Sequence, residues 1–311
     1  MSNFAEIFPS PNAIVPIAHG QKVVQLGSCF STHITQKLRY AGFSVEDNLF
    51  GVIFHPLVIA EHIQQALSGE IVKKTVQKDD VFLDYMASGS VYGMTQTALD
   101  DSLSQRFLHL KEVLLTADYL MVTFGSALGY YLKETNELVA NCHQQPTVLF
   151  DKQVSEVAEM TRVWKETIHQ LKQVNPRLQV VFTVSPVRYS REGWVENNRS
   201  KARLLQVCEE LTAVGTYFPS YELVNDMLRD YRYFEADGVH PNELAITEVW
   251  HLFQAWFFTS ETQAVCAEIA KIRTMEAHRF LYPESVKVSQ FQEKTNQLKR
   301  ALLLKNPLIS W

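Results

Sequence analysis

Val23-Val24-Gln25-Leu26-Gly27-Ser28-Cys29-Phe30-Ser31 carries an abrupt change of character. An apolar run of strand type stops at a glycine, two small nucleophilic residues follow, and an amphipathic segment begins. A strand–turn–helix corner of this kind lifts a side chain over the end of a sheet. It also sets that side chain beside a helix N-terminus, where free N–H groups and the helix dipole favour negative charge. A cysteine so placed is expected to be partly thiolate. Far downstream, Asp237-Gly238-Val239-His240-Pro241 puts a carboxylate three residues before an imidazole. The two stretches supply a nucleophile–His–Asp set in the chain order nucleophile, Asp, His.

Outward from that corner, the pattern predicts a strand over 22–27, a helix over 31–40, a second strand over 43–46 and a helix over 57–67. Residues 68–99 lack a clear period and read as an elaborated loop or small hairpin. A helix over 100–116 leads to a strong third strand, 119–124, which also stops at a glycine, Gly125. A helix over 155–174 closes at Asn175-Pro176 before a fourth strand, 178–184. A helix over 198–213, a short fifth strand at 216–219 and a helix over 243–258 complete the alternation. Strands separated by helices imply right-handed parallel crossovers, and function then gathers at the carboxyl ends of the strands. Beyond Thr259 two further helices are expected, 261–277 and 285–304, packing on the domain or forming a homodimer surface.

Totals narrow the class. A chain of 311 residues can bury a large core, and 46% hydrophobic with 20% charged residues is ordinary globular composition. The net charge of -5 offers no electrostatic case for nucleic acid or an anionic membrane. No apolar run approaches the roughly 20 residues of a membrane span. Met1 to Ser10 shows neither a basic n-region nor an apolar h-region, which argues against a signal peptide. Cys29, Cys142, Cys208 and Cys266 are widely spaced, the usage of a reducing cytoplasm, with no structural zinc expected.

Gly27-Ser28-Cys29-Phe30 resembles the tetrapeptide that names the GSCFA family, itself similar to the SGNH (GDSL-type) hydrolases. The resemblance runs over roughly 20–258. It takes in Asn48-Leu49-Phe50-Gly51-Val52-Ile53, Thr123-Phe124-Gly125-Ser126, Asn141-Cys142-His143, Ser185-Pro186-Val187-Arg188 and Glu196-Asn197-Asn198-Arg199-Ser200-Lys201. It implies a three-layer α/β/α domain over 1–258, with a five-stranded parallel sheet in flavodoxin-like order and a helical extension over 259–311. It also lays Cys29 on the nucleophilic serine of the hydrolases, with Ser28 as the rival one residue away. His240 would then be the general base and Asp237 its orienting carboxylate. Oxyanion donors are implied at the Cys29 N–H and at Gly51. The asparagine that the hydrolases carry after the third strand is missing, so Ser126 or Asn141 would stand in.

Other candidates follow from residue type and place. Arg188, just past the fourth strand, suits a carboxylate, phosphate or sugar hydroxyl on the substrate. His143 is a second acid/base or binding group, and Asn48 a polar contact at the end of the second strand. Asn141-Cys142-His143 falls short of a zinc site. Arg199 reads as a structural ion-pair partner of a nearby acid. Cys208 and Cys266 sit in helical patterns and read as packing. These residues imply acyl transfer on an acylated carbohydrate or small molecule, to water or to a hydroxyl, with no cofactor. The alternatives are a binding protein that retains the cleft without turnover, and a thiol redox protein using Cys29 and Cys142.

Overall fold

The computed structural model describes residues 4–11 and 14–311; the first three residues of the Met1–Ser10 stretch lie outside them. Eleven strands form three sheets: β1 Lys22–Gly27, β2 Ser44–Asp47, β3 Thr75–Lys78, β4 Val81–Asp84, β5 Tyr92–Gly93, β6 Tyr119–Phe124, β7 Leu128–Leu132, β8 Glu137–Val139, β9 Phe150–Val154, β10 Gln179–Val184 and β11 Thr216–Tyr217. The central sheet has five parallel strands in the order β11-β10-β6-β1-β2. That is the expected flavodoxin-like order.

Both faces of this sheet are covered, which is why β1 and β6 read as near-continuous apolar runs. Helices Pro56–Ser68, Gln96–Thr116, Val157–Val174 and Trp194–Glu210 bury one face, around Leu120, Val122, Phe124 and Trp164. Helices Cys29–Tyr40 and Glu243–Phe257 cover the other, around Val23, Tyr119, Met121 and Phe253. At such sizes each fully buried Leu or Phe contributes about 2 kcal/mol of transfer free energy. Buried Gln25, an exception in β1, is satisfied: its Oε1 accepts the Thr35 hydroxyl at 2.8 Å.

Two insertions form sheets of their own, the first where an elaborated loop or small hairpin was expected. Residues 68–99 contain a three-stranded antiparallel sheet, β3-β4-β5, whose tight β3–β4 turn places Asp79 at φ 53°. The stretch after β6 forms another, β8-β7-β9. Both lie on connections that leave the carboxyl ends of core strands, and they are stitched together. Ala140 N–H donates to Tyr85 O at 2.8 Å, and the His143 ring meets Asp84 O at 2.7 Å.

The C-terminal helices, Ser260–Glu276 and Val286–Lys305, pack on the turn after the first helix. Ile269 and Ile309 close over Gly42, Ser310 N–H donates to Gly42 O, and the Arg273 guanidinium stacks between Tyr40 and Trp311. No helix of the described residues is long and apolar enough to cross a membrane.

Candidate active site

The strand order reverses between β1 and β6, so the crevice for a ligand opens at the carboxyl ends of those two strands. There the chain turns at Gly27. Its φ is 135°, and a Cβ would stand 2.2 Å from Thr123 O on β6, so only glycine permits this approach. Gly27 N–H donates to Asn48 Oδ1 (2.9 Å) and Ser28 N–H to Thr123 O (3.1 Å). Asn48 Nδ2 reaches Ser31 Oγ at 3.1 Å. Asn48 therefore braces the turn at Gly27-Ser28-Cys29 where a substrate contact was expected, and both ends of its amide are engaged inside the protein.

Cys29 is the first residue of its helix and half-buried, two residues earlier than the predicted helix start. The expected thiolate bias is not there. Burial pushes the Cys29 thiol up, and this outweighs the N–H groups of Cys29 and Phe30 and the Lys201 ammonium, which act the other way. A base must therefore remove its proton. Ser28 beside it is 1% exposed, and its hydroxyl is buried without a hydrogen-bond partner among the described residues.

Asp237 and His240 do come together. Asp237 Oδ1 accepts the N–H groups of Val239 (2.8 Å) and His240 (3.0 Å), an Asx-type turn, while Oδ2 meets His240 Nδ1 at 2.7 Å. The His240 ring and these N–H groups hold the Asp237 carboxyl down at about 2. Nδ1 pinned this way leaves Nε2 as the free ring atom. Glu243, just past this loop, pairs with Lys37 of the helix Cys29–Tyr40, and the charges of Glu243, His240 and Glu235 act on His33 of that helix. His33 lies one turn along from Cys29, on the same side of that helix.

Arg188 is not poised for substrate. Its guanidinium lies 4.1 Å from the Phe234 ring centre and 5.6 Å from that of Tyr231, with Nε on Asn225 Oδ1 at 3.3 Å and its own N–H on Val239 O at 3.1 Å. It braces the loop that carries Asp237 and His240. Gly51 does not offer an oxyanion donor either, since its N–H is held by Asn48 O at 2.6 Å. The glycine is needed for space: a Cβ there would fall 1.9 Å from Ser88 Oγ at φ 75°. His143 turns away from the cleft onto Asp84 O, and burial lowers its basicity. Arg199 pairs with Glu196 at 2.6 Å, the structural role expected of it.

A cavity of about 790 Å³ lies against the ends of β6 and β10 under the β7–β9 sheet. Ser126, Asn141 and Cys142 line it, with Phe54, Tyr130 and Tyr189 among its aromatic walls. The Ser126 hydroxyl is occupied, accepting from Leu128 N–H at 3.0 Å and lying 3.3 Å from Ser200 Oγ, and Ser126 N–H is held by Phe54 O. Asn141 Oδ1 accepts His143 N–H at 2.8 Å, which leaves its Nδ2 to the cavity side. Burial raises the Cys142 thiol as it does that of Cys29. No group of three His, Cys, Asp or Glu side chains among the described residues is arranged to hold a metal ion.

Lys201, within the 196–201 block but given no site role from sequence, is a buried member of the site region. It is 2% exposed, lines the cavity, and donates to Gly125 O and Ser185 O at 2.7 Å each. Burial lowers its ammonium to about 7. The signal was in the helix: Lys201 shares the stripe of Leu204 and Cys208, three and seven residues on, both buried.

No curated protein matches the chain. The solved structures that align with it include a GDSL-like lipase from Parabacteroides merdae, at 9% identity over 81% of this chain and 100% of that one with a TM-score of 0.41, and a family 3 carbohydrate esterase from Clostridium thermocellum, at 10% identity over 80% and 98% with a TM-score of 0.36. The GSCFA family matches residues 22–253, three quarters of the sequence and the whole of the central sheet, and this chain belongs to that family.

Proposed function

We propose that the protein is an acyl-ester hydrolase or O-acyltransferase acting on an acylated carbohydrate or small molecule. Cys29 is the nucleophile, with Ser28 as its rival. His240 is the base and Asp237 orients it. The observation that carries this reading is the 2.7 Å pairing of Asp237 with His240.

His240 Nε2 takes the thiol proton and the sulfur attacks the acyl carbon. A C–S bond forms as the carbonyl π pair moves onto oxygen. When that pair returns, the ester C–O bond breaks and the alcohol leaves with the proton from His240. Water, or an acceptor hydroxyl, then repeats the sequence on the thioester. Cys29 N–H, at the free end of the helix, and Asn141 Nδ2 are the donors this reading assigns to the oxyanion. The cavity, which Asn141 and Lys201 line and Cys29, Asp237 and His240 do not, has room for a sugar-sized group, and its mix of aromatic walls and polar groups suits one.

The test is hydrolysis of aryl acetates and acetylated sugars by the wild type and by Cys29→Ala, Ser28→Ala and His240→Ala. Turnover that survives in Ser28→Ala and vanishes in the other two supports the assignment. Full activity in Cys29→Ala with a dead Ser28→Ala moves the nucleophile to Ser28. No turnover by the wild type on any ester would leave a binding protein that keeps the cleft.

A further inference from the structure

We infer that Lys201 supplies the positive charge that faces the anion formed at Cys29, first the thiolate and then the acyl oxyanion. The inference rests on the acyl-transfer reading for its second half and stands without it for the first.

Lys201 reaches the site from the helix Trp194–Glu210, on the face of the sheet opposite the first helix. Its ammonium bridges the carbonyls that end β6 and β10, Gly125 and Ser185, at 2.7 Å each. Two of its three N–H bonds are thereby fixed, and the third has no protein acceptor among the described residues. Among those residues no carboxylate lies within 4 Å of it, and the charge-bearing group that acts on it is Cys29. The influence is reciprocal: the ammonium favours the Cys29 thiolate, and the thiolate favours the ammonium. One strand over from β6, Cys29 begins its helix at the end of β1, so the three strand ends meet around this pair.

A buried ammonium with no counter-charge is costly to the fold, and an apolar side chain of similar volume commonly does better there. A lysine retained in such a place, in the wall of a cavity, marks a functional group. The other charged groups of that cavity do not replace it. Lys152 is paired with Glu192, and Arg191 is exposed. His55 is held neutral by burial, and the Cys142 thiol is raised. Gly125-Ser126 offers no amide side chain, and Gly51 N–H is already committed. Lys201 fills the donor position they leave vacant, with a full charge in place of an amide dipole.

The test is the pH profile of Cys29 alkylation by iodoacetamide in the full chain, read by peptide mapping. Wild type is compared with Lys201→Met and with Lys201→Gln, whose amide can still donate to a carbonyl. Loss of the ammonium slows alkylation in both variants by about threefold or more at pH 6.5, where the wild-type ammonium is populated, and the difference shrinks above pH 7 as Lys201 gives up its proton, so the profile changes shape. Where Lys201→Met does not fold, Lys201→Gln carries the comparison. Wild-type and Lys201→Gln profiles that coincide overturn the inference, whatever the ester assay shows. A shifted profile with no ester turnover in the wild type keeps the charge pairing and removes the acyl-transfer reading. With turnover, Lys201→Gln lowers kcat about 10²-fold at little change in KM.

Discussion

Asp237 holds the ring of His240 through Nδ1 at 2.7 Å while its second oxygen gathers the two N–H groups of the same turn. One carboxylate therefore fixes both the tautomer of the imidazole and the loop it rides on. Asp237→Asn keeps the size of the side chain and loses the charge, and acyl turnover should drop about 10²-fold or more. Because the carboxyl is held at about 2, its contribution is complete above the usual carboxylate range and fades only as pH falls through about 2. A pH–rate profile should thus show no acid limb from Asp237 above about pH 3, and a limb near 4 that disappears in Asp237→Asn would contradict this.

Arg188 was expected to bind substrate and is instead stacked on Phe234 of the His240 loop. The two roles separate kinetically. As a brace, its loss lets the loop wander, so Arg188→Met should lower kcat roughly tenfold and leave KM nearly unchanged. A raised KM at constant kcat would return Arg188 to the substrate.

Around the nucleophile turn, stability depends on space and on one amide. Gly27→Ala drives a methyl into Thr123 O and should cost about 3 kcal/mol or more, read as a lower urea midpoint. Gly69→Ala meets no neighbour and suffers only its left-handed φ of 81°, at about 1 kcal/mol. Asn48→Ala strands the Gly27 N–H at a cost of about 1–3 kcal/mol, whereas Asn48→Asp keeps that acceptor and loses only the donor to Ser31. Equal midpoints for the two Asn48 variants would deny it the bracing role.

Acid should weaken the fold through two buried imidazoles. His55 caps the helix Pro56–Ser68, and His62 stacks on Phe50 at 4.2 Å; burial lowers each from 6.5 to about 4. Between those values the unfolded chain binds more protons than the folded one, so stability falls as pH drops. The contribution is whole above 6.5 and lost as pH falls through about 4, at about 3 kcal/mol for each ring. Urea midpoints at pH 7 and pH 4.5 measure the slope, and His62→Phe should flatten it. Parallel curves for wild type and variant would refute the assignment.

The longer core strands were readable because burial on both faces leaves runs such as Tyr119–Phe124 apolar but for Thr123. The inserted sheets were not, because their strands are two to five residues long and mix exposed with half-buried positions, as in Phe150–Val154. The Asp237–His240 pair was legible from a three-residue spacing that one turn can close. Arg188, Asn48 and Gly51 misled because residue type and position are the same for a brace and for a binding group, and only their partners tell the two apart. Lys201 was hidden because a cation at a helix start reads as a salt-bridge partner, and only its burial, without a nearby carboxylate among the described residues, tells it apart.

The bond from His143 to Asp84 O joins the two inserted sheets, and the Ala140–Tyr85 bond beside it doubles the seam. Along that edge the chamber's roof is tied down at the end of β4, so the segment that brings Asn141 and Cys142 to the wall is anchored from outside its own sheet.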